Sequence, residues 1–476
     1  MFRAAPRKPS PLRSFLSISL PISLPISLPI SLCLALLAPH VSAAPWMASG
    51  GSGHTQVLDS NGRVWVWGYN KYGTVGDGST VDAAPHAQAT PKQASLENVV
   101  SIASGQGASL AVKSDGSVWS WGYGYLGHGA YDGRTMPTQV AGVTNVKQLA
   151  SGLYHTLALT HDGTLVGWGN NSRGAVGDGT NVHRPSPVAL ALSGVRAVAA
   201  NGHSLALKHD GTVWAWGENN SGQAGGTAGQ SHATPIQIDA LNDVIAIAAG
   251  SAHSVALKSD GSVWSWGEGI AIGDGNFSDT ATPVRAVGLD NVVAIAAGND
   301  FTLALREDGS VYTWGISEYT NMNSYMADTM PRPVAGLANV RAIGAGWTHR
   351  MAILADGSVY TWGLNDVGQL GNGQSGNLAN APVRVVNGNG SAFALTPEAT
   401  NADVDRLFDW AESRYPHTFT PHAASSERLG YYARCYPTGL CLGARDGRAY
   451  LYDGATISDV GGVTEMLNLH AVPAGF

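Results

Sequence analysis

The phrase DGSVWSWG at residues 115–122 returns unchanged at 260–267, and five near-copies stand at 61–68, 162–169, 210–217, 308–315 and 356–363. The glycines that close the seven phrases, Gly68, Gly122, Gly169, Gly217, Gly267, Gly315 and Gly363, are spaced by 54, 47, 48, 50, 48 and 48 residues. A fixed period of this size marks a propeller or solenoid, in which one unit cannot bury its own faces and stacks on its neighbours. Each unit holds four short runs of strand character, exemplified by VVAIAAG, HSVALK, SVWSWG and TPVRAV. The Asp-Gly or Asn-Gly between the second and third runs accepts positive φ at little cost and predicts a hairpin. Along HTLALT (155–160), His155, Leu157 and Leu159 face one way and Thr156, Ala158 and Thr160 the other. In SVWSWG, Trp119 and Trp121 oppose Val118 and Ser120. A sheet with one large and one small, weakly polar face is covered on both sides when large stacks on small, and closing a ring leaves no end sheet bare. Seven units therefore predict an all-β, seven-bladed β-propeller of four-stranded blades. Residues 391–395 (SAFAL) could complete the first blade, or 44–50 (APWMASG) could do so without them.

Composition agrees with this reading. Only 13% of the 476 residues are charged, while Gly numbers 61 and Trp 14. Abundant glycine with many aromatics suggests turn-rich β structure, because disordered chains are poor in aromatics.

The first 43 residues read separately. Arg3, Arg7, Lys8 and Arg13 form a basic start; prolines at 21, 25 and 29 interrupt an apolar stretch, and Ile30–Ala38 is uncharged and mostly apolar. Val41-Ser42-Ala43 fits the small-residue cleavage rule, so residues 1–43 are expected to be a signal peptide. No other stretch is apolar enough to span a bilayer. The mature chain is thus expected in the periplasm or outside the cell, without a membrane span. Losing four basic residues takes the net charge from −7 to −11. That acidity argues against nucleic acid as a partner. Cys33 falls in the leader, leaving Cys435 and Cys441 in a compartment where a disulfide persists.

The period, the G-x-x-H-T-x-A-L…D-G-x-V-x-x-W-G pattern and the G-Q-L-G-x-G turn (368–373) resemble the regulator-of-chromosome-condensation repeat family over about residues 46–387. The resemblance implies a seven-bladed propeller and little about activity. The family includes a nucleotide exchange factor for a small nuclear GTPase that binds chromatin, a plant UV-B photoreceptor and a secreted bacterial inhibitor of β-lactamase. An exported acidic chain, read as a bacterial member, matches the last in compartment; export opposes guanine-nucleotide exchange. Departures from the pattern fall in blade 6, where ISEYTNMNSYMADTM (316–330) replaces the glycine turn, in blade 5, where the turn shortens to EGIAIGDG (268–275), and at Gln56 of blade 1.

Repeat character ends near residue 395, giving a propeller over 44–395 and a C-terminal α+β module over 396–476. Val404, Leu407, Phe408 and Ala411 fall at helical spacing within 401–416, and Pro416 marks a stop. Residues 431–454 read as a three-stranded meander, and Pro437-Thr438-Gly439 suits a three-residue hairpin loop. That loop sets Cys435 opposite Cys441 at a separation suited to a disulfide.

Catalytic signatures are lacking. Gly122–Gly127 matches G-x-G-x-x-G, but no helix follows it, so no dinucleotide site is expected. His54, His155, His203, His253 and His349 share one repeat position that holds Ala108 and Phe301 in blades 2 and 6, which reads as a packing position before a metal ring. Asp77, Asp178 and Asp274 lie in G-D-G turns, where turn chemistry suffices. No cofactor or metal is expected, and the chain is not expected to be an enzyme. The loop aromatics stand out: Tyr123, Tyr125, Tyr131, Tyr319, Met322, Tyr325 and Met326, with Trp347, are the candidate partner-binding residues, and Tyr69 and Tyr72 sit in regular turns. Tyr, Trp and Met are enriched in interface cores. The expected function is a non-catalytic, exported scaffold that binds a partner protein through its loops, with inhibitor and surface adaptor as two versions. The alternative is a cell-surface glycan-binding or glycan-processing protein, which would need a carboxylate pair about 5–10 Å apart for cleavage.

Overall fold

The computed structural model describes residues 46–153, 155–321 and 324–395, and the backbone of four strands between 433 and 462. Seven four-stranded antiparallel sheets, each in simple sequential order, are the seven blades. In blade 2 the strands are Val99–Ser104, Ala108–Lys113, Val118–Gly124 and Asp132–Gln139. The innermost strands pack side by side in a closed circle, and that of blade 1 (Met47–Gly50) meets both its neighbour in blade 2 and Val340–Ala345 of blade 7.

Local chemistry explains the blade. In the 2–3 hairpin of blade 2, Asp115 Oδ1 accepts from the Ser117 amide at 2.9 Å and its hydroxyl at 2.6 Å, while Gly116 sits at φ +76°. Those hydrogen bonds to the ionised form hold the Asp115 carboxyl below the usual range. The residue just before the inner strand also turns left-handed: Asn98, Asn145, Asp243, Asn291 and Asn339 have φ between 52° and 65°. Asn and Asp tolerate this conformation best among residues with a side chain.

Blades adhere through tryptophan. Trp67, Trp121, Trp168, Trp216, Trp266, Trp314 and Trp362 are fully buried or nearly so. Each packs on the preceding blade: Trp121 on Leu58, Val64 and Val66, and Trp67 on Ile353, Val359 and Val385 across the ring seam. The faces are not sorted into one large and one small, as the alternation suggested. Cross-strand register sets Ala111 opposite Trp119 and Ser109 opposite Trp121. Small residues of the second strand thus leave room for the indoles on their own face, while Leu110, Val112 and Val118 form the opposite face against Trp168.

Both terminal segments complete the ring. Met47–Gly50 supplies the inner strand of blade 1 by pairing with His54–Leu58. Leu395 donates its amide to Gly357 O at 2.8 Å, as Val99 does to Gly62 O at 3.1 Å and Val146 to Gly116 O at 3.1 Å. Leu395 therefore stands where the first valine of the next inner strand stands elsewhere. Phe393 packs edge-on against Trp65 at 5.3 Å and Trp67 at 6.2 Å, sealing the joint.

Further on, Ala433–Cys435, Cys441–Arg445, Arg448–Tyr452 and Ile457–Gly462 form an antiparallel meander of four strands, one more than expected. Its backbone register sets Cys435 opposite Cys441. The expected helix at 401–416 and the segment 1–43 lie outside the described residues. No helix among the described residues is long and apolar enough to cross a membrane.

Candidate partner-binding face

In each antiparallel blade the 1–2 and 3–4 turns share one end. They are tied there: Tyr69 N donates to Gly53 O at 2.7 Å and Tyr123 N to Gly107 O at 2.8 Å. Gly122, at φ +90°, makes this approach possible, since a Cβ there would lie 2.2 Å from Gly107 O. The regular 3–4 turn is built around an asparagine. Asn70 Oδ1 accepts from Val75 N at 3.0 Å and its amide donates to Ser79 O at 3.2 Å, with Asn171, Asn219 and Asn365 placed alike.

Aromatic rings of three blades join on this face into one ribbon. His86 meets Tyr69 (5.7 Å between centroids), Tyr69 meets Tyr72 (6.2 Å), and Tyr72 stacks on Tyr123 of the next blade (4.5 Å, 23° between planes). Tyr131 stands edge-on to both Tyr123 (5.0 Å) and Tyr125 (4.9 Å), and Tyr125 reaches His183 of blade 3 at 5.8 Å. Tyr72, Tyr123 and Tyr131 keep 38%, 37% and 53% of their surface exposed. The Lys71 ammonium lies 5.5 Å from the Tyr72 ring.

A slot opens beside the ribbon, and the repeat explains it. At five junctions a histidine Nε2 bonds the hydroxyl of the next blade: His54 to Ser109 (3.3 Å), His155 to Ser204 (2.7 Å), His203 to Ser254 (2.6 Å), His253 to Thr302 (3.0 Å) and His349 to Thr55 (2.8 Å). These rings fold over the glycine of the 1–2 turn; a Cβ on Gly250 would lie 2.1 Å from His253. Blade 2 carries Ala108 instead, whose Cβ stays 3.7 Å from the same point at Gly105. Thr156, the partner of the missing ring, turns to Ser151 at 3.0 Å. The vacated space is a cavity of about 30 Å³ bordered by Gln106, Ala108, Tyr123, Tyr125, Tyr131 and Leu153.

Burial holds the five histidines neutral, with His54, His155 and His253 pulled down to about 4 and His203 and His349 to about 3. They are inter-blade struts. Among the described residues no group of three or more His, Cys, Asp or Glu is placed to hold a metal ion.

At the blade 6–7 junction both partners change. Phe301 replaces the histidine and Arg350 the hydroxyl residue, and the guanidinium lies 3.8 Å from the Phe301 ring centre. Arg350 Nη2 donates to Ile316 O, in the stretch that replaces the glycine turn. Burial lowers the Arg350 pKa to about 10, which leaves it charged at neutral pH. Nearby, burial pushes up the carboxyls of Glu268 and Asp300, and the Asp300 charge adds to the rise at Glu268.

The blade-6 stretch is a long hairpin, Val311–Asn321 paired with Ser324–Pro333. Tyr319 is a core residue of it rather than an exposed anchor. It is 7% exposed, packs on Ile316 and Leu364, and its backbone exchanges two 3.0 Å hydrogen bonds with Asn380 of blade 7. Tyr325 and Met326 are each 53% exposed, and Met322 lies outside the described residues. Trp347 lies in the 1–2 turn of blade 7 and lines the ring axis, where its backbone bonds Gly51 and Asn299. The structure thus joins Tyr123, Tyr125 and Tyr131 with Tyr69, Tyr72, His86 and His183, and separates them from the blade-6 and blade-7 residues. His86 joins through Tyr69 of its own blade and His183 through Tyr125 of the blade before it, and no local sequence signal marks either histidine.

Comparison with known proteins agrees with the architecture. The RCC1-like domain matches residues 168–396, and two models of the regulator of chromosome condensation (RCC1) repeat match 61–112 with 115–159 and 99–127 with 146–175. The chain is 38% identical over 91 residues to the human E3 ubiquitin-protein ligase HERC2, covering 18% of this chain and 2% of that protein. It is 34% identical over 105 residues to the regulator of chromosome condensation of Xenopus laevis, covering 21% of this chain and 24% of that one. The chain therefore spans at most about a quarter of either curated relative. The crystal structure of human WBSCR16 superposes with a TM-score of 0.61 at 25% identity, covering 68% of this chain and 94% of that chain. Between them the three models match residues 61–396, and the chain carries RCC1-type repeats folded as a β-propeller of seven four-stranded blades.

Proposed function

We propose that this propeller is a non-catalytic scaffold that captures a partner protein on the tyrosine ribbon of blades 1–3. The ribbon itself carries the proposal. Half-exposed rings that already brace one another lose little freedom on binding, and tyrosine is enriched among residues that dominate interface energies. The slot left by Ala108 gives the ribbon a recess for one small side chain of the partner. Export is part of the proposal and rests on the basic, apolar and small-residue order of residues 1–43. In that setting Cys435 and Cys441 form a disulfide, which their paired backbone positions favour. A thiol titration that finds both cysteines reactive in the exported protein would contradict it.

The experiment is affinity capture from envelope and secreted fractions with residues 44–476, beside the same chain carrying Tyr72→Ala, Tyr123→Ala and Tyr131→Ala. A stoichiometric protein held by the first and lost from the second supports the proposal. A partner retained equally by both overturns the assignment of the ribbon.

A further inference from the structure

A second site lies on the ring axis; it shares Ser151 and Gly152 with the slot beside the ribbon but is lined by none of the ribbon's rings. The seven innermost strands enclose a cavity of about 270 Å³. By volume this would hold roughly nine waters at about 30 Å³ each, and it exceeds the ~150 Å³ sufficient for benzene. Each innermost strand has only one neighbour in its sheet. Its other edge, with unpaired backbone N–H and C=O groups, turns to the axis. Between these edges stand small or aliphatic side chains such as Ile102 and Ala249. None of the lining residues is charged.

Two polar side-chain atoms of this wall have no hydrogen-bond partner among the described residues. Ser104 is 6% exposed and Asn201 8% exposed, yet Ser104 Oγ and Asn201 Oδ1 are unpaired. The mouth around them is otherwise stitched by backbone bonds between blades: Leu153 N to Asn201 O, Ser251 N to Asn299 O, Asn299 N to Trp347 O and Trp347 N to Gly51 O, all between 3.0 and 3.2 Å. Asn201 belongs to the shortest 1–2 turn, where the chain runs Asn-Gly-His instead of Gly-x-x-His. Its main chain joins the stitching while its side chain is left to the cavity. Trp347 adds an aromatic wall at the same mouth.

We infer that the axial cavity binds a small, uncharged molecule carrying several hydroxyl or amide groups. Backbone edges supply both donors and acceptors, Asn201 Oδ1 requires a donor, and Ser104 serves as either. A charged ligand would lose its hydration without meeting a counter-charge.

The test is calorimetric titration of the full chain with inositol and glucose, and with the charged analogues gluconate and glucosamine. We expect one site for an uncharged probe and at least tenfold weaker binding of the charged ones. Ser104→Ala and Asn201→Leu should each weaken binding by roughly tenfold, as for a lost hydrogen bond to a buried group. Tyr72→Ala should leave it unchanged. Unchanged melting temperatures of the variants show that the ring is intact, and Ser104→Ala removes one atom only. No saturable binding of either uncharged probe, equal binding of charged and uncharged probes, or indifference to both cavity variants would overturn the inference.

Discussion

The Arg350 guanidinium lies over the Phe301 ring, 3.8 Å from its centre, at the one junction where both members of the histidine–hydroxyl strut are replaced. The two changes compensate. A histidine in place of Phe301 would take away the phenyl face that the guanidinium covers, and a threonine opposite phenylalanine would leave its hydroxyl without that ring nitrogen. Phe301→His and Arg350→Thr should each destabilise the chain by roughly 2–3 kcal/mol. The double variant should recover part of this, with a coupling of about 1–3 kcal/mol in a denaturant-midpoint cycle. Strict additivity would show that the pair is incidental.

Much of the ring was readable because its chemistry repeats. The seven phrases set the blade count, Asp-Gly set the hairpins, and Ala108 and Phe301 stood out as departures at the histidine position. What one period could not show was the partner one blade away, where Arg350 answers Phe301 and Thr156 loses its ring. The ribbon was half visible for the same reason: Tyr123, Tyr125 and Tyr131 share a turn, but Tyr72 joins them only by stacking between blades. Tyr319 misled because the blade-6 extension folds back onto Asn380 of blade 7, a contact that no periodicity encodes.

Ala108→His should close the slot. The new ring would fill the 30 Å³ cavity and reach Thr156, as His155 reaches Ser204. Stability should rise by about 1 kcal/mol, the usual net value of one hydrogen bond. Partner capture should weaken. A stable variant that captures normally would exclude the slot from recognition.

Acid should loosen the ring well before the surface carboxylates titrate fully. The five strut histidines bind protons at about pH 3–4 when folded, against 6.5 ordinarily. Because the folded values are depressed, their contribution is complete above about pH 6.5 and is lost as pH falls toward the folded values. The slope is at most about 1.4 kcal/mol per pH unit for each histidine. Glu268 and Asp300, whose carboxyls are raised, act in the opposite sense, so the net loss is smaller than five histidines alone would give. Urea unfolding at pH 7 and pH 5 measures it; equal stabilities would refute the neutral-strut account.

Phe393→Ala should open the seam. It removes the ring that covers Trp65 and Trp67, at a cost of about 3–5 kcal/mol for a buried aromatic. Hydrogen exchange should quicken first in Met47–Leu58 and Val359–Asn365, the strands on either side of the joint. Uniform quickening in all seven blades would contradict a local seam.

The central claim is that the ribbon, and not the blade-6 hairpin, holds the partner. The most direct measurement is the affinity of the captured partner for two double variants, Tyr72→Ala with Tyr123→Ala and Tyr325→Ala with Met326→Ala. The account predicts a loss of roughly 30-fold or more for the first, as expected for an interface hot spot of about 2 kcal/mol or above. It predicts no change for the second. Loss in the hairpin variant with full affinity in the tyrosine variant would place the binding site on blade 6 and contradict the account.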